Sequence, residues 1–128
     1  MSCRILIVED NEVNLKLVEL ILHKAGYRTV SAKDAEYGIE LARSLHPDLI
    51  LMDIHLPRMD GLAAISILKK EPVTRKIPIL ALTALAMKGD EDRIIASGCD
   101  GYIQKPVGHE HLLKKVVCLL SGKDRPDV

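Results

Sequence analysis

The chain reads as an α/β protein, a doubly wound sheet of five parallel strands with five helices. Three observations predict this. Short, uniformly apolar runs such as Ile5–Val8, Leu49–Met52 and Ile79–Leu82 suit strands buried on both faces, as parallel sheets require. Segments with apolar residues at helical spacing alternate with those runs, so each strand is followed by a crossover helix. A length of 128 residues with 48% hydrophobic content is enough for one domain around a real core.

Composition narrows the chemistry. Aromatic residues make up 2%, as three tyrosines without Phe or Trp, so the core must be aliphatic. No aromatic platform exists for stacking bases or flavin rings. Lys plus Arg balance Asp plus Glu at 18 each, which leaves no basic footprint for DNA. Cys3, Cys99 and Cys118 are odd in number and widely spaced, which argues for reduced thiols and against a zinc site. No apolar run approaches the roughly 18 residues of a membrane span, and no signal-peptide pattern opens the chain. A soluble, cytoplasmic protein is expected.

The first strand is expected over Arg4–Val8, with Glu9 and Asp10 at its carboxyl end. Asp10 or Asn11 then caps a helix over about Val13–Ala25, which Gly26 stops. Leu17, Val18, Ile21, Leu22 and Ala25 form its inward stripe, and Val13 and Leu20 lie off it beside Lys16 and Lys24. The second strand covers Arg28–Ala32. Asp34 caps a helix over Ala35–Leu45 that buries Ile39 and Ala42, and Pro47 closes it.

The third strand is central. Its four apolar residues, Leu49–Met52, deliver Asp53 to the rim of the sheet. A loop through Pro57 and Asp60-Gly61 leads to a helix over Leu62–Lys70, and Pro72–Pro78 reads as a polar connector. The fourth strand, Ile79–Leu82, ends at Thr83. A helix over Lys88–Ser97 follows, with Ile94, Ile95 and Ala96 to bury and Asp90-Glu91-Asp92 as a solvated face. The fifth strand, Gly101–Gln104, ends at Lys105-Pro106. The last helix, His109–Leu120, has an apolar stripe of Leu112, Leu113, Val116, Leu119 and Leu120.

Right-handed crossovers gather the strand ends on one rim, where open α/β sheets bind ligands. Glu9, Asp10, Asp53, Thr83 and Lys105 meet there. Three converging carboxylates repel one another unless a cation sits between them. Mg²⁺ suits such a set because it takes octahedral oxygen ligation from carboxylates, water and phosphate. Asp10 and Asp53 supply direct carboxylates and Glu9 acts through water. An aspartate can also be a nucleophile that forms an acyl phosphate. Phosphoryl transfer asks mainly for positioning and charge neutralisation, which Lys105 and a hydroxyl at Thr83 provide. Taken singly, each of these acids would be an ordinary solvated side chain. Their joint placement is what points to a site.

These residues resemble the receiver domain of two-component response regulators over nearly the whole chain, Ile5 to Leu120. The resemblance rests on Val8-Glu9-Asp10-Asn11, Leu51-Met52-Asp53 with Pro57 and Asp60-Gly61, Leu82-Thr83-Ala84, and Tyr102 through Lys105-Pro106. It implies a flavodoxin-like strand order 2-1-3-4-5, with residues 1–120 as the receiver domain and 121–128 as a short polar tail. It implies phosphorylation of Asp53 by a histidine kinase or phosphotransfer protein. Glu9, Asp10, Asp53 and the main-chain carbonyl of His55 would bind Mg²⁺, or Mn²⁺ in its place. Thr83 and Tyr102 would form the switch pair, with Tyr102 turning inward, and Lys105-Pro106 would be a cis bond. The family often has two aspartates at the first acidic site, where this chain has Glu9.

Within the family, Glu9 through Asn14 and Thr83 through Glu91 look like stand-alone regulators of cell cycle and polarity. The output would then be a conformational signal to a protein partner, with no chemistry beyond self-catalysed aspartyl phosphorylation and dephosphorylation. An intermediate in a multistep phosphorelay, or a receiver from a hybrid histidine kinase, is the alternative. A flavodoxin-type electron carrier would need a phosphate-cradling loop where Glu9 and Asp10 stand. An aspartyl-nucleophile phosphatase usually has a second Asp where this chain has His55. The side chain of His55 is expected to be exposed, since no second His or Cys stands at ligand spacing.

Overall fold

The computed structural model describes residues 3–84, 90–105 and 107–121. Strands β1 (Arg4–Val8), β2 (Arg28–Ala32), β3 (Leu49–Asp53), β4 (Ile79–Thr83) and β5 (Gly101–Gln104) alternate with five helices. These are α1 (Glu12–Lys24), α2 (Ala35–Leu45), α3 (Gly61–Lys70), α4 (Asp90–Ala96) and α5 (His109–Ser121). Every strand pairing is parallel and the order is β2-β1-β3-β4-β5.

The period-2 alternation of a strand divides the sheet into two cores. Leu6, Val8, Ile50, Met52, Ile79 and Ala81 face one way and pack with α2, α3 and Ile94 of α4. Ile5, Ile7, Leu49, Leu51, Leu80 and Leu82 face the other way and pack with α1 and α5. Both cores are aliphatic at their centres, with Tyr102 at the edge of the first and Tyr27 at the edge of the second. All five residues of β3 and of β4 are buried, which is why their sequences are unbroken apolar runs up to the last residue.

Side-chain caps fix where three helices begin. Asn11 Oδ1 accepts from the N–H of Asn14 at 3.0 Å, Asp34 Oδ1 from Tyr37 at 2.8 Å, and Asp60 Oδ1 from Ala63 at 2.8 Å. Each cap contributes about 1 kcal/mol. Of the two candidates ahead of α1 it is Asn11 that caps, which leaves Asp10 outside that role.

The inward face of α1 differs from expectation. Leu15, Val18, Ile21 and Leu22 are buried, whereas Leu17 is 44% exposed and Ala25 is exposed. Helix α1 carries apolar residues almost all round, so spacing alone cannot choose between Leu15 and Leu17. In α4, Ile94 is buried, whereas Ile95 and Ala96 face solvent. The expected start of that helix at Lys88 and the Pro106 bond lie outside the described residues.

The 72–78 connector is less polar than it reads. Thr74 and Ile77 are buried, and Thr74 Oγ1 donates to the carbonyl of Leu68 at 2.7 Å. Lys69 Nζ pairs with Asp100 Oδ2 at 2.7 Å and donates to the carbonyl of Ile77 at 2.9 Å. Asp100 in turn accepts from the N–H of Ile79 at 2.8 Å. This clamp sets the start of β4 and so the height at which Thr83 ends it.

Candidate functional site

Strand register brings the acids together. Val8 is level with Met52, so Glu9 and Asp10 continue from β1 beside Asp53, the last residue of β3. One carboxylate oxygen from each of Glu9, Asp10 and Asp53 lies within 4.8 Å of the others. Glu9 is 1% and Asp53 3% exposed, while Asp10 faces solvent. Lys105, one residue past β5, reaches between the two buried acids. Its Nζ is 2.9 Å from Glu9 Oε1 and 3.2 Å from Asp53 Oδ2. The remaining oxygens take main-chain donors: Glu9 Oε2 from Asn11 at 3.2 Å, and Asp53 Oδ1 from His55 at 3.0 Å.

The electrostatics follow from burial. Desolvation lifts the Glu9 carboxyl above the ordinary range, the neighbouring Asp53 adds to this, and the Lys105 ammonium opposes it without prevailing. Burial alone would lower the Lys105 ammonium, but the hydrogen bond it donates to Glu9 and the charge of Asp53 more than offset it and raise it. Three acids thus face one ammonium. The donors are hard carboxylate oxygens, which suits Mg²⁺ and not a soft metal.

Thr83 is buried at the end of β4, and its carbonyl accepts from the N–H of Lys105 at 2.7 Å. It lines a cleft of about 410 Å³ together with Asp10, His55, Pro57, Asp60 and Arg93. The imidazole of His55 is exposed, as expected. Its main-chain N–H to Asp53 is a contact that residue types alone do not announce. Tyr102 stands apart from the acids. It sits on β5 at the edge of the α2–α4 core, and its hydroxyl donates to Glu91 Oε2 on α4. That bond raises the phenol above its ordinary range. Glu91 therefore has a specific partner and is not merely part of a solvated acidic face.

The loop after Asp53 is also anchored. Arg58 adopts φ 66°, and its guanidinium lies 2.9 Å from Asp34 Oδ2 at the start of α2. Gly61 N–H donates to the carbonyl of Ile54 at 2.8 Å.

A family model described as the response regulator receiver domain matches residues 5–117. Over 121 residues the chain is 44% identical to the polar-differentiation response regulators DivK of Brucella ovis and Brucella melitensis, covering 94% of this chain and 98% of theirs. Among solved structures, it resembles the receiver domain of a sensor histidine kinase from Pseudomonas aeruginosa that has magnesium coordinated in its active site cleft. That likeness has a TM-score of 0.88 and 33% identity over 94% of this chain and 99% of the other. A receiver domain of a histidine kinase from Syntrophus aciditrophicus gives a TM-score of 0.89 and 35% identity, over 98% and 96% of the two chains.

Proposed function

The chain belongs to the response regulator receiver domain family, and we propose that it takes a phosphoryl group on Asp53 and signals to a protein partner by a conformational switch. As a receiver domain it is a signalling protein rather than a turnover enzyme. The observation that carries the proposal is the setting of Asp53: a buried carboxylate at the end of the central strand, touched by Lys105 and clustered with Glu9 and Asp10.

The donor would be a phosphohistidine on a kinase or phosphotransfer protein. An Asp53 oxygen attacks phosphorus, the new P–O bond forms as the P–N bond breaks, and the imidazole leaves with that electron pair. Lys105 neutralises charge on the transferred group, and the Thr83 hydroxyl donates to a phosphoryl oxygen. Asp10, Asp53 and the carbonyl of His55 would hold Mg²⁺, or Mn²⁺, with Glu9 acting through water. The ion supplies further neutralisation of the phosphoryl oxygens. Drawing Thr83 toward the phosphoryl group vacates space into which Tyr102 turns, at the cost of its bond to Glu91.

The 44% identity to polar-differentiation response regulators supports a role in polarity control, and cell-cycle control and a place in the cytoplasm are proposed with it. None of the described helices is long and apolar enough to cross a membrane. The stripe Val13, Leu17 and Leu20, exposed on the helix that begins two residues after Asp10, suits the docking of a helical phosphodonor. The face formed by α4, β5 and α5, next to Thr83 and Tyr102, would be the output face.

Incubating the chain with acetyl phosphate and Mg²⁺ should add the mass of one phosphoryl group. Asp53→Ala should abolish the gain, and a variant that still gains it removes Asp53 from the role. Transfer onward to a phosphotransfer histidine would instead mark a relay intermediate.

A further inference from the structure

Glu9 has both carboxylate oxygens engaged by the protein itself, Oε1 by Lys105 Nζ at 2.9 Å and Oε2 by the Asn11 N–H at 3.2 Å. The contact of Lys105 with Asp53 is longer, 3.2 Å. Beside the two residues lies a small cavity of about 40 Å³, lined also by Leu17, Val18, Leu82 and Val107. Its volume holds about one or two waters. A lysine has a flexible stem and a compact, strongly hydrated head, so its position depends on what holds it. An aspartate at position 9 would fall short by one methylene, about 1.5 Å, which takes a 2.9 Å contact out of hydrogen-bond range.

We propose that Glu9 is a positioning residue that tethers Lys105, so that the ammonium stays in place while its second contact passes from Asp53 to the phosphoryl group. Its contact with a divalent ion, through water, is secondary to this tether. The inference rests on Asp53 being the phosphoacceptor. It also gives a physical use to the length of the glutamate, whose side chain meets, from the end of β1, the lysine that follows β5.

The test uses the full chain with Glu9→Asp and Glu9→Gln, and Lys105→Met to assign the lysine resonance. Nitrogen-15 NMR of the wild type should show a lysine ammonium signal protected from solvent exchange and absent in Lys105→Met. Glu9→Asp should lose that protection, and Glu9→Gln should keep it, because the amide oxygen still reaches. With acetyl phosphate at saturating Mg²⁺, Glu9→Asp should react about tenfold more slowly and Glu9→Gln less than about threefold. Calorimetric Mg²⁺ affinity should fall far less in Glu9→Asp than in Asp10→Asn.

Protection retained in folded Glu9→Asp, or a rate deficit that appears only at low Mg²⁺ and vanishes at saturation, overturns the proposal. Loss of protection in Glu9→Gln overturns it as well. If the wild type takes no phosphate, the phosphoacceptor reading fails, while the ammonium signal still decides the tether.

Discussion

Gly61 lies against the main chain of Asp53 so closely that a Cβ at position 61 would stand 2.1 Å from the Asp53 carbonyl oxygen and 2.7 Å from the Ile54 Cα. Backbone cannot retreat as a flexible side chain can. The first residue of α3 is therefore a seat for the Asp53 main chain, and only glycine fits it.

Gly61→Ala should therefore displace Asp53 without altering its carboxylate. We expect a loss of about 1–3 kcal/mol by thermal or urea unfolding, typical of overpacking. Phosphorylation by acetyl phosphate should slow as well. Unchanged melting and an unchanged rate would show that the β3–α3 loop absorbs the methyl group at no cost.

The acid cluster predicts a metal-linked stability. Three carboxylates share one ammonium, so Asp53→Asn should stabilise the metal-free protein by about 1 kcal/mol. Mg²⁺ should in turn raise the melting temperature of the wild type more than that of the variant. Melts in chelator and in Mg²⁺ check this, and equal Mg²⁺ shifts in the two proteins would count against a shared site.

The bond from Tyr102 to Glu91 has a signature at alkaline pH. It holds the phenol above its ordinary range, because ionisation removes the donated proton and sets a phenolate beside a carboxylate. Its stabilising contribution is complete below the ordinary tyrosine pKa of 10.0 and is lost as pH rises through the raised value. Tyrosinate absorbance, with Tyr102→Phe as reference, should show Tyr102 titrating earlier in Glu91→Gln. A titration unmoved by that substitution would remove Glu91 as the partner.

A docking role for α1 would separate two kinds of donor. Leu20 is 55% exposed, so Leu20→Asp should leave the fold and acetyl phosphate reactivity intact. Transfer from a cognate kinase should slow by about tenfold, the loss of one good apolar contact. Equal slowing with both donors would mean damage to the site and would end the docking idea.

Much of this was legible in the residues. The strands could be read to the residue where burial on both faces leaves an unbroken apolar run, as in β4, and at caps such as Asp34. The meeting of Glu9, Asp10, Asp53, Thr83 and Lys105 followed from topology, because parallel strands put all their carboxyl ends on one rim. What escaped depends on tertiary packing. Leu15 and Leu17 are chemically alike, and only the seating of α1 distinguishes them. Thr74 is buried because Leu68 presents a carbonyl to it, and Glu91 finds Tyr102 from an acidic run that otherwise reads as solvated. The seat at Gly61 is a matter of two backbones touching, which no side-chain pattern encodes.

The division of the sheet into two cores has a consequence for which partners overlap. Helix α1 belongs to the core built with α5, whereas Tyr102 packs at the edge of the core that holds α2, α3 and Ile94. A donor lying along Leu17 and Leu20 would thus sit on the α1–α5 side of the sheet and an effector on α4 and Tyr102 on the other. In the proposed reading the two would not overlap unless the effector also grips α5, which packs beside α1.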